Sequence, residues 1–280
     1  MDIQHTLPKV KELVEKAKDI AVVTHKKPTM DSIGSTLSLY LGLLGVGKRV
    51  NVVAPDPMTV EFSSFIAANK LATKIGGKKN FVISLDYKEG SIDKVSYNIE
   101  GDKFNLVIEP RPGFDFSKDN VNYTTAGGKA DLIIILDTVH LGELGHVYEE
   151  GKEAFADVPL INIDCHPNNT MFGAANVVDP KSPTTAELTA VVMSFLGVKL
   201  TKDIATNLLN AVYATTSHFQ DERVNARTFE VASVCMKAGG ERFTASRSKP
   251  VVQFPVENVK KDDLTPKASD MFPVGGDSEV

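Results

Sequence analysis

Cysteine is scarce in this chain. Cys165 and Cys235 are the only two in 280 residues, too few for a disulfide framework and in keeping with a reducing compartment. No lysine or arginine run occurs and the net charge is −5, which argues against a surface for duplex nucleic acid. No apolar stretch approaches the roughly 20 residues that cross a bilayer. The longest lies near Leu132–Leu136. The start, Met1-Asp2-Ile3-Gln4-His5, has no basic stretch leading into an apolar one, so no signal peptide is read. No internal repeat is found. Gly76-Gly77 and Gly127-Gly128 read as turns, because no Lys-Ser/Thr follows at P-loop spacing. The expectation is a cytoplasmic protein with neither a membrane nor duplex nucleic acid as partner. What is present is ordinary for a globular chain: 42% hydrophobic and 24% charged residues, with ample length for a core.

Helical spacing of Val10, Leu13, Val14 and Ala17 predicts a helix over 7–18, ahead of a strand at Ile20–Thr24. Ser32–Leu44 reads as a helix stopped by Gly45, and Arg49–Ala54 as a strand. The alternation is expected to continue through a helix at Phe62–Lys70. From Asn80 to Tyr123 short alternating segments separated by Gly, Asp and Pro predict an inserted antiparallel sheet. Ala130–Leu136 is nearly all apolar and ends in Asp137, as a central parallel strand would, and Pro159–Ile163 repeats this before Asp164. Helices are expected at Thr185–Leu196, Lys202–Ala214 and Ala226–Ala238, the last stopped by Gly239-Gly240. His140 and His146 read as loop residues, and Cys235 as core. The fold class is therefore α/β. It is a doubly wound, mainly parallel sheet over 1–240 with a small antiparallel β-sheet inserted at 80–125, followed by an extended or disordered tail at 241–280.

Chemistry-bearing residues gather where strands end. Val22-Val23-Thr24-His25 runs into a turn holding Thr29 and Asp31, then Gly34-Ser35 in a helix start. Leu160-Ile161-Asn162-Ile163-Asp164-Cys165-His166 is a second such place, and Asp137 a third. Open α/β sheets bind ligands at the carboxyl ends of their strands, so these side chains are expected to converge. With Tyr213–Phe219 and Ser182-Pro183-Thr184-Thr185-Ala186-Glu187, they resemble the motifs of the DHH family of phosphoesterases, in order, from about Ala21 to Gly240. That family's pattern is His-x-x-x-Asp-x-Asp after a strand, an aspartate after an apolar strand, Asp-His-His, and Asp-Thr-Gly before an aromatic.

The resemblance implies a two-metal centre that polarises a phosphate and acidifies water. It assigns His25, Asp31 and Asp137 as ligands, with Asp137 as the bridge. It also puts Thr29, Cys165 and Thr215 where Asp, His and Asp are expected. Threonine is a neutral, weak ligand for hard cations, so two metals are not expected. No cofactor is expected; if one binds, it is a single divalent ion, zinc or manganese. Cys165 with Asp31, Asp137 and His218 has zinc-type donors. Asp164 and His166 remain as vestigial catalytic candidates. His166, Thr184 and Thr185 are candidates for holding a phosphate-containing ligand, the last two through the N–H groups of a helix start. Thr184 equally reads as a simple cap.

The family usually carries a C-terminal substrate-binding domain with a Gly-Gly-Gly-His-like segment, and the forty residues after Gly240 contain none. The reading is a non-hydrolytic binding, regulatory or assembly module, with self-association or a protein partner at 241–280. The alternative is an active phosphoesterase on short oligonucleotides, cyclic dinucleotides or pyrophosphate-like compounds with an altered metal site.

Overall fold

β-Branched and apolar residues between polar turns build the central sheet, and a computed structural model describes it over residues 3–75, 80–117, 121–126 and 130–243. The expectations for the tail and for Gly76-Gly77 and Gly127-Gly128 fall outside these residues, apart from tail residues 241–243. Helix α1 (Leu7–Lys16) buries Leu7, Val10 and Val14 and leads into β1 (Asp19–Thr24). Helix α2 (Met30–Gly45) opens on a capping box. Thr29 Oγ1 accepts the Ser32 N–H at 3.1 Å, and Ser32 Oγ accepts the Thr29 N–H at 2.7 Å. Strand β2 (Arg49–Val53) follows. The insertion holds β3 (Asn80–Leu85), β4 (Ile92–Glu100), β5 (Lys103–Pro110) and β6 (Val121–Ala126). Then come β7 (Leu132–Leu136), α3 (His146–Asp157), β8 (Leu160–Asp164), β9 (Ala175–Val178), α4 (Thr185–Phe195), α5 (Lys202–Thr215) and α6 (Ala226–Lys237).

The main sheet has order β2-β1-β7-β8-β9, all parallel. Alternate residues point to opposite faces. Ile20, Val22, Leu132, Ile134 and Leu136 join the helices α1, α2, α4, α5 and α6 on one side. Ala21, Val23, Ile133 and Ile135 pack with Leu144, Val147 and Phe155 on the other. Burial on both faces explains why these strands read as unbroken apolar runs. The chain leaves β1 for β2 on one side and returns to β7 on the other. The crevice of this doubly wound sheet thus opens between the carboxyl ends of β1 and β7. Thr24 pairs with Leu136, so the next residues, His25 and Asp137, emerge side by side. Across the crevice floor α2 lies tight on α5: a Cβ on Gly34 would sit 2.5 Å from Ala211 Cβ.

Two expectations need correction, and two elements were not foreseen. Phe62–Lys70 is not a helix but single 3-10 turns at Val60–Phe62 and Ala68–Lys70, interrupted where Ala67 takes a left-handed φ of 67°. The insertion is antiparallel as expected, and among the described residues it forms two ribbons, β3 with β6 and β4 with β5. His146 is no loop residue; it begins α3, with Nε2 2.8 Å from the Thr73 carbonyl. Helix α3 itself escaped the periodicity because only Val147 and Phe155 in it are buried. Strand β9, four residues long, was also not foreseen.

Candidate active site

A cavity of about 600 Å³ lies at these strand ends, lined by His25, Thr29, Asp31, Asp137, Cys165 and His166, with Glu143, Thr215 and Arg223 at other parts of its wall. The convergence expected from the strand ends is therefore observed. His218 is the exception. It stacks on Tyr213 with ring centroids 4.3 Å apart and does not line the cavity, so it offers no zinc donor there.

Asp31 is buried, and its carboxylate is engaged by the start of α4. The Thr185 N–H donates to Oδ2 at 2.7 Å, the Ala186 N–H to Oδ1 at 2.9 Å, and Ser35 Oγ to Oδ1 at 3.2 Å. The positive end of the helix dipole thus meets a carboxylate of the same chain. This corrects the expectation that Thr184 and Thr185 present free N–H groups to a ligand. Both are fully buried; Thr184 Oγ1 caps the helix by accepting the Glu187 N–H at 3.1 Å. Burial, and then the charge of Asp137, push the Asp31 carboxyl up to about 8 against the pull of these hydrogen bonds.

Asp137 has a left-handed φ of 54°, a conformation aspartate tolerates better than most residues. Its Oδ1 accepts from Thr185 Oγ1 at 2.7 Å. Its Oδ2 accepts from Thr29 Oγ1 at 3.3 Å and lies 3.4 Å from His25 Nε2. Burial alone would raise its pKa. The hydrogen bonds from His25 and Thr185 and the charges of His25 and His166 outweigh that and hold it below the ordinary value. His25 balances in the opposite direction: burial disfavours its charge, but Asp137 prevails and raises its pKa. Its other nitrogen, Nδ1, lies 2.7 Å from the Lys26 carbonyl, so both ring nitrogens face acceptors, as an imidazolium requires.

The third strand end is as fully bonded. Asp164 Oδ1 accepts the Cys165 N–H at 2.9 Å and lies 2.7 Å from His166 Nδ1, while Oδ2 accepts from Asn169 Nδ2 at 2.6 Å. Asn162 in β8 donates to the Ile135 and Thr138 carbonyls and accepts from Asn169 Nδ2 at 2.7 Å, which ties this loop to the end of β7. The Asp164 hydrogen bond raises His166 to about 9, with its half-exposed ring directed to the cavity. Burial and the charges of Asp31 and Asp137 push the Cys165 thiol far above its ordinary range, so it is protonated at neutral pH.

These positions have counterparts in known proteins. The DHH family N-terminal domain matches residues 19–216, from the first strand to the end of α5. The chain belongs to the DHH family. The bifunctional oligoribonuclease and PAP phosphatase NrnA of Thermus thermophilus is 24% identical over 220 residues, 79% of this chain and 50% of that protein. The uncharacterized protein MG371 of Mycoplasma genitalium is 25% identical over 186 residues, 65% of this chain and 53% of that one. An exopolyphosphatase-related protein from Bacteroides fragilis has the same fold, with a TM-score of 0.60 at 18% identity over 85% of this chain and 58% of that one. The chain spans about half the length of the curated relatives it matches.

DHH enzymes use divalent metals, and the donors of the crevice fit one ion better than two. One atom each from Asp137, Asp164, Cys165 and His166 lies within 4.8 Å of the others, a set of the right types for a single ion. A pair of ions fits poorly. Asp31 is engaged by two N–H groups of α4, and burial together with the charge of Asp137 disfavours its ionised form. Thr29 is used as a helix cap, and Thr215 is neutral. The DHH pattern has Gly where Ser217 stands, and Ser217, His218 and Phe219 all keep a left-handed backbone (φ 48°, 65° and 67°). Glu143 and Arg223 were not anticipated from the sequence. Glu143 lies within the short 3-10 turn Leu141–Leu144, and the Arg223 signal was only its pairing with nearby Asp221, a two-point contact at 3.0 Å.

Proposed function

We propose that this DHH protein binds a phosphate-bearing ligand in the crevice and does not carry out two-metal hydrolysis there. The observation that carries this reading is the double N–H contact from Thr185 and Ala186 to Asp31. A carboxyl group held in that way has its oxygens hydrogen-bonded without a cation, and withdrawing it would leave two buried donors unpaired. A phosphoryl group would meet His166 and Arg223 in the cavity wall, paired with Asp164 and Asp221 and each with further N–H groups to donate. The role would be binding, regulation or assembly.

A second reading is a phosphoesterase with an altered one-metal centre, acting on short oligonucleotides, cyclic dinucleotides or pyrophosphate-like compounds. The four-donor cluster at Asp137, Asp164, Cys165 and His166 favours it, as do family membership and the oligoribonuclease and phosphatase name of the Thermus relative. A soft sulfur donor in that cluster favours zinc over magnesium.

Incubation with a short oligoribonucleotide and Mn²⁺ or Zn²⁺ separates the two. The first reading expects binding without turnover in either metal. It also expects Thr29→Asp, Cys165→His and Thr215→Asp together to recover metal binding before turnover, far beyond the sum of the single changes. Zn²⁺-dependent turnover by the unaltered protein, lost in Cys165→Ser, would establish the second reading instead.

A further inference from the structure

The ribbon formed by β4 and β5 carries its apolar side chains on the outside. In its antiparallel register Val95 faces Ile108, Tyr97 faces Leu106 and Ile99 faces Phe104, so these six residues share one face. Tyr97 and Ile99 are each 69% exposed and Phe104 65%. The Tyr97 and Phe104 rings stack on each other at 5.5 Å, fixing a flat aromatic centre. The opposite face is polar: Ser96, Asn98 and Asn105 with Lys94, Glu100, Lys103 and Glu109, interrupted only by Val107. The ribbon is amphipathic, yet no described helix or strand covers its apolar side. A two-stranded sheet with nothing against its apolar face is marginal in water.

We propose that this face packs against the same face of a second copy of the chain, as a two-fold interface centred on the Tyr97–Leu106 pair. Charge favours a like partner. From Ile92 to Arg111 the ribbon has three basic side chains against four acidic ones. Two of its ion pairs close within it, Lys94 with Glu109 at 3.9 Å and Arg111 with Asp93 at 3.6 Å. Such a surface does not repel itself and does not attract a polyanion. Area points the same way. An aromatic side chain can bury about 150–250 Å². The exposed part of this face is on the order of 500 Å² per copy, so two copies reach the ~1,000 Å² where specific interfaces begin. The layer so formed is a small β-sandwich, each sheet supplying the cover that the other lacks.

Sedimentation from low micromolar to near-millimolar concentration reads the association directly. The unaltered protein is expected to pass from monomer to dimer, and Phe104→Glu to weaken that step at least tenfold. Because a charge at Phe104 might also unfold the ribbon, cysteine probes keep the test independent. The native cysteines are buried, leaving an introduced thiol as the accessible one. Leu106→Cys should form an inter-copy disulfide rapidly under mild oxidation, while Asn98→Cys on the polar face should not. A monomer at every concentration, association untouched by Phe104→Glu, or equal cross-linking from both cysteine variants would overturn the proposal.

Discussion

The crevice between β1 and β7 and the β4–β5 ribbon depart from the usual division of polar and apolar residues in opposite senses. The crevice buries carboxylates, and the ribbon exposes aromatic and aliphatic side chains. What separates them is who supplies the partner. Each crevice carboxylate finds donors within the chain: Asp31 from α4, Asp137 from Thr29, Thr185 and His25, Asp164 from Cys165, His166 and Asn169. The apolar face of the ribbon finds no such cover among the described residues. Burial of a charged group therefore does not by itself call for an ion, whereas exposure of a contiguous apolar face does call for a second surface.

The comparison predicts unequal costs for equal deletions. Ile134→Ala, at the centre of the sheet and fully enclosed, should cost about 3–4 kcal/mol in denaturant unfolding, while Val95→Ala on the ribbon should cost less than about 1 kcal/mol in a dilute monomer. Equal costs would mean that the ribbon face is already covered within one chain. A smaller effect is expected from Asp31→Ala. Leaving the Thr185 and Ala186 N–H groups buried without an acceptor should cost about 2 kcal/mol, moderated because a buried carboxyl is also removed. If that variant matched the parent in metal-free buffer, Asp31 would not be satisfied by α4 and the self-sufficiency of the crevice would fail.

Much of this was legible in the sequence, for physical reasons that differ by element. The strands β1, β7 and β8 were visible because burial on both faces demands unbroken apolar runs, and His25, Asp137 and Asp164 were placed by ending them. What Asp31 is bonded to was not legible. Thr185 and Ala186 lie about 150 residues away, and a backbone N–H leaves no mark in the choice of side chain. Arg223 and Glu143 were hidden for a related reason, since their loops reach the cavity only through the path of the chain. The alternation that marks β4 and β5 was clear, but alternation says only that the two faces differ. It does not say whether the apolar face meets the chain's own core or another molecule.

The smallest effect is a pH signature of the crevice. His166 is raised above its unfolded value by Asp164, so its stabilising contribution is complete below about 6.5. The contribution is lost as pH rises through about 9. Ring resonances of His166 should accordingly titrate near 9, and Asp164→Asn should bring the midpoint down toward that of an ordinary histidine. A midpoint unchanged by that substitution would show that Asp164 does not hold the ring.

The central claim is that the crevice satisfies its own carboxylates and does not require a pair of metals to do so. Elemental analysis after dialysis against Mn²⁺ and removal of free ion measures it most directly. The account predicts at most one weakly held ion per chain. Two tightly bound Mn²⁺ per chain would contradict it.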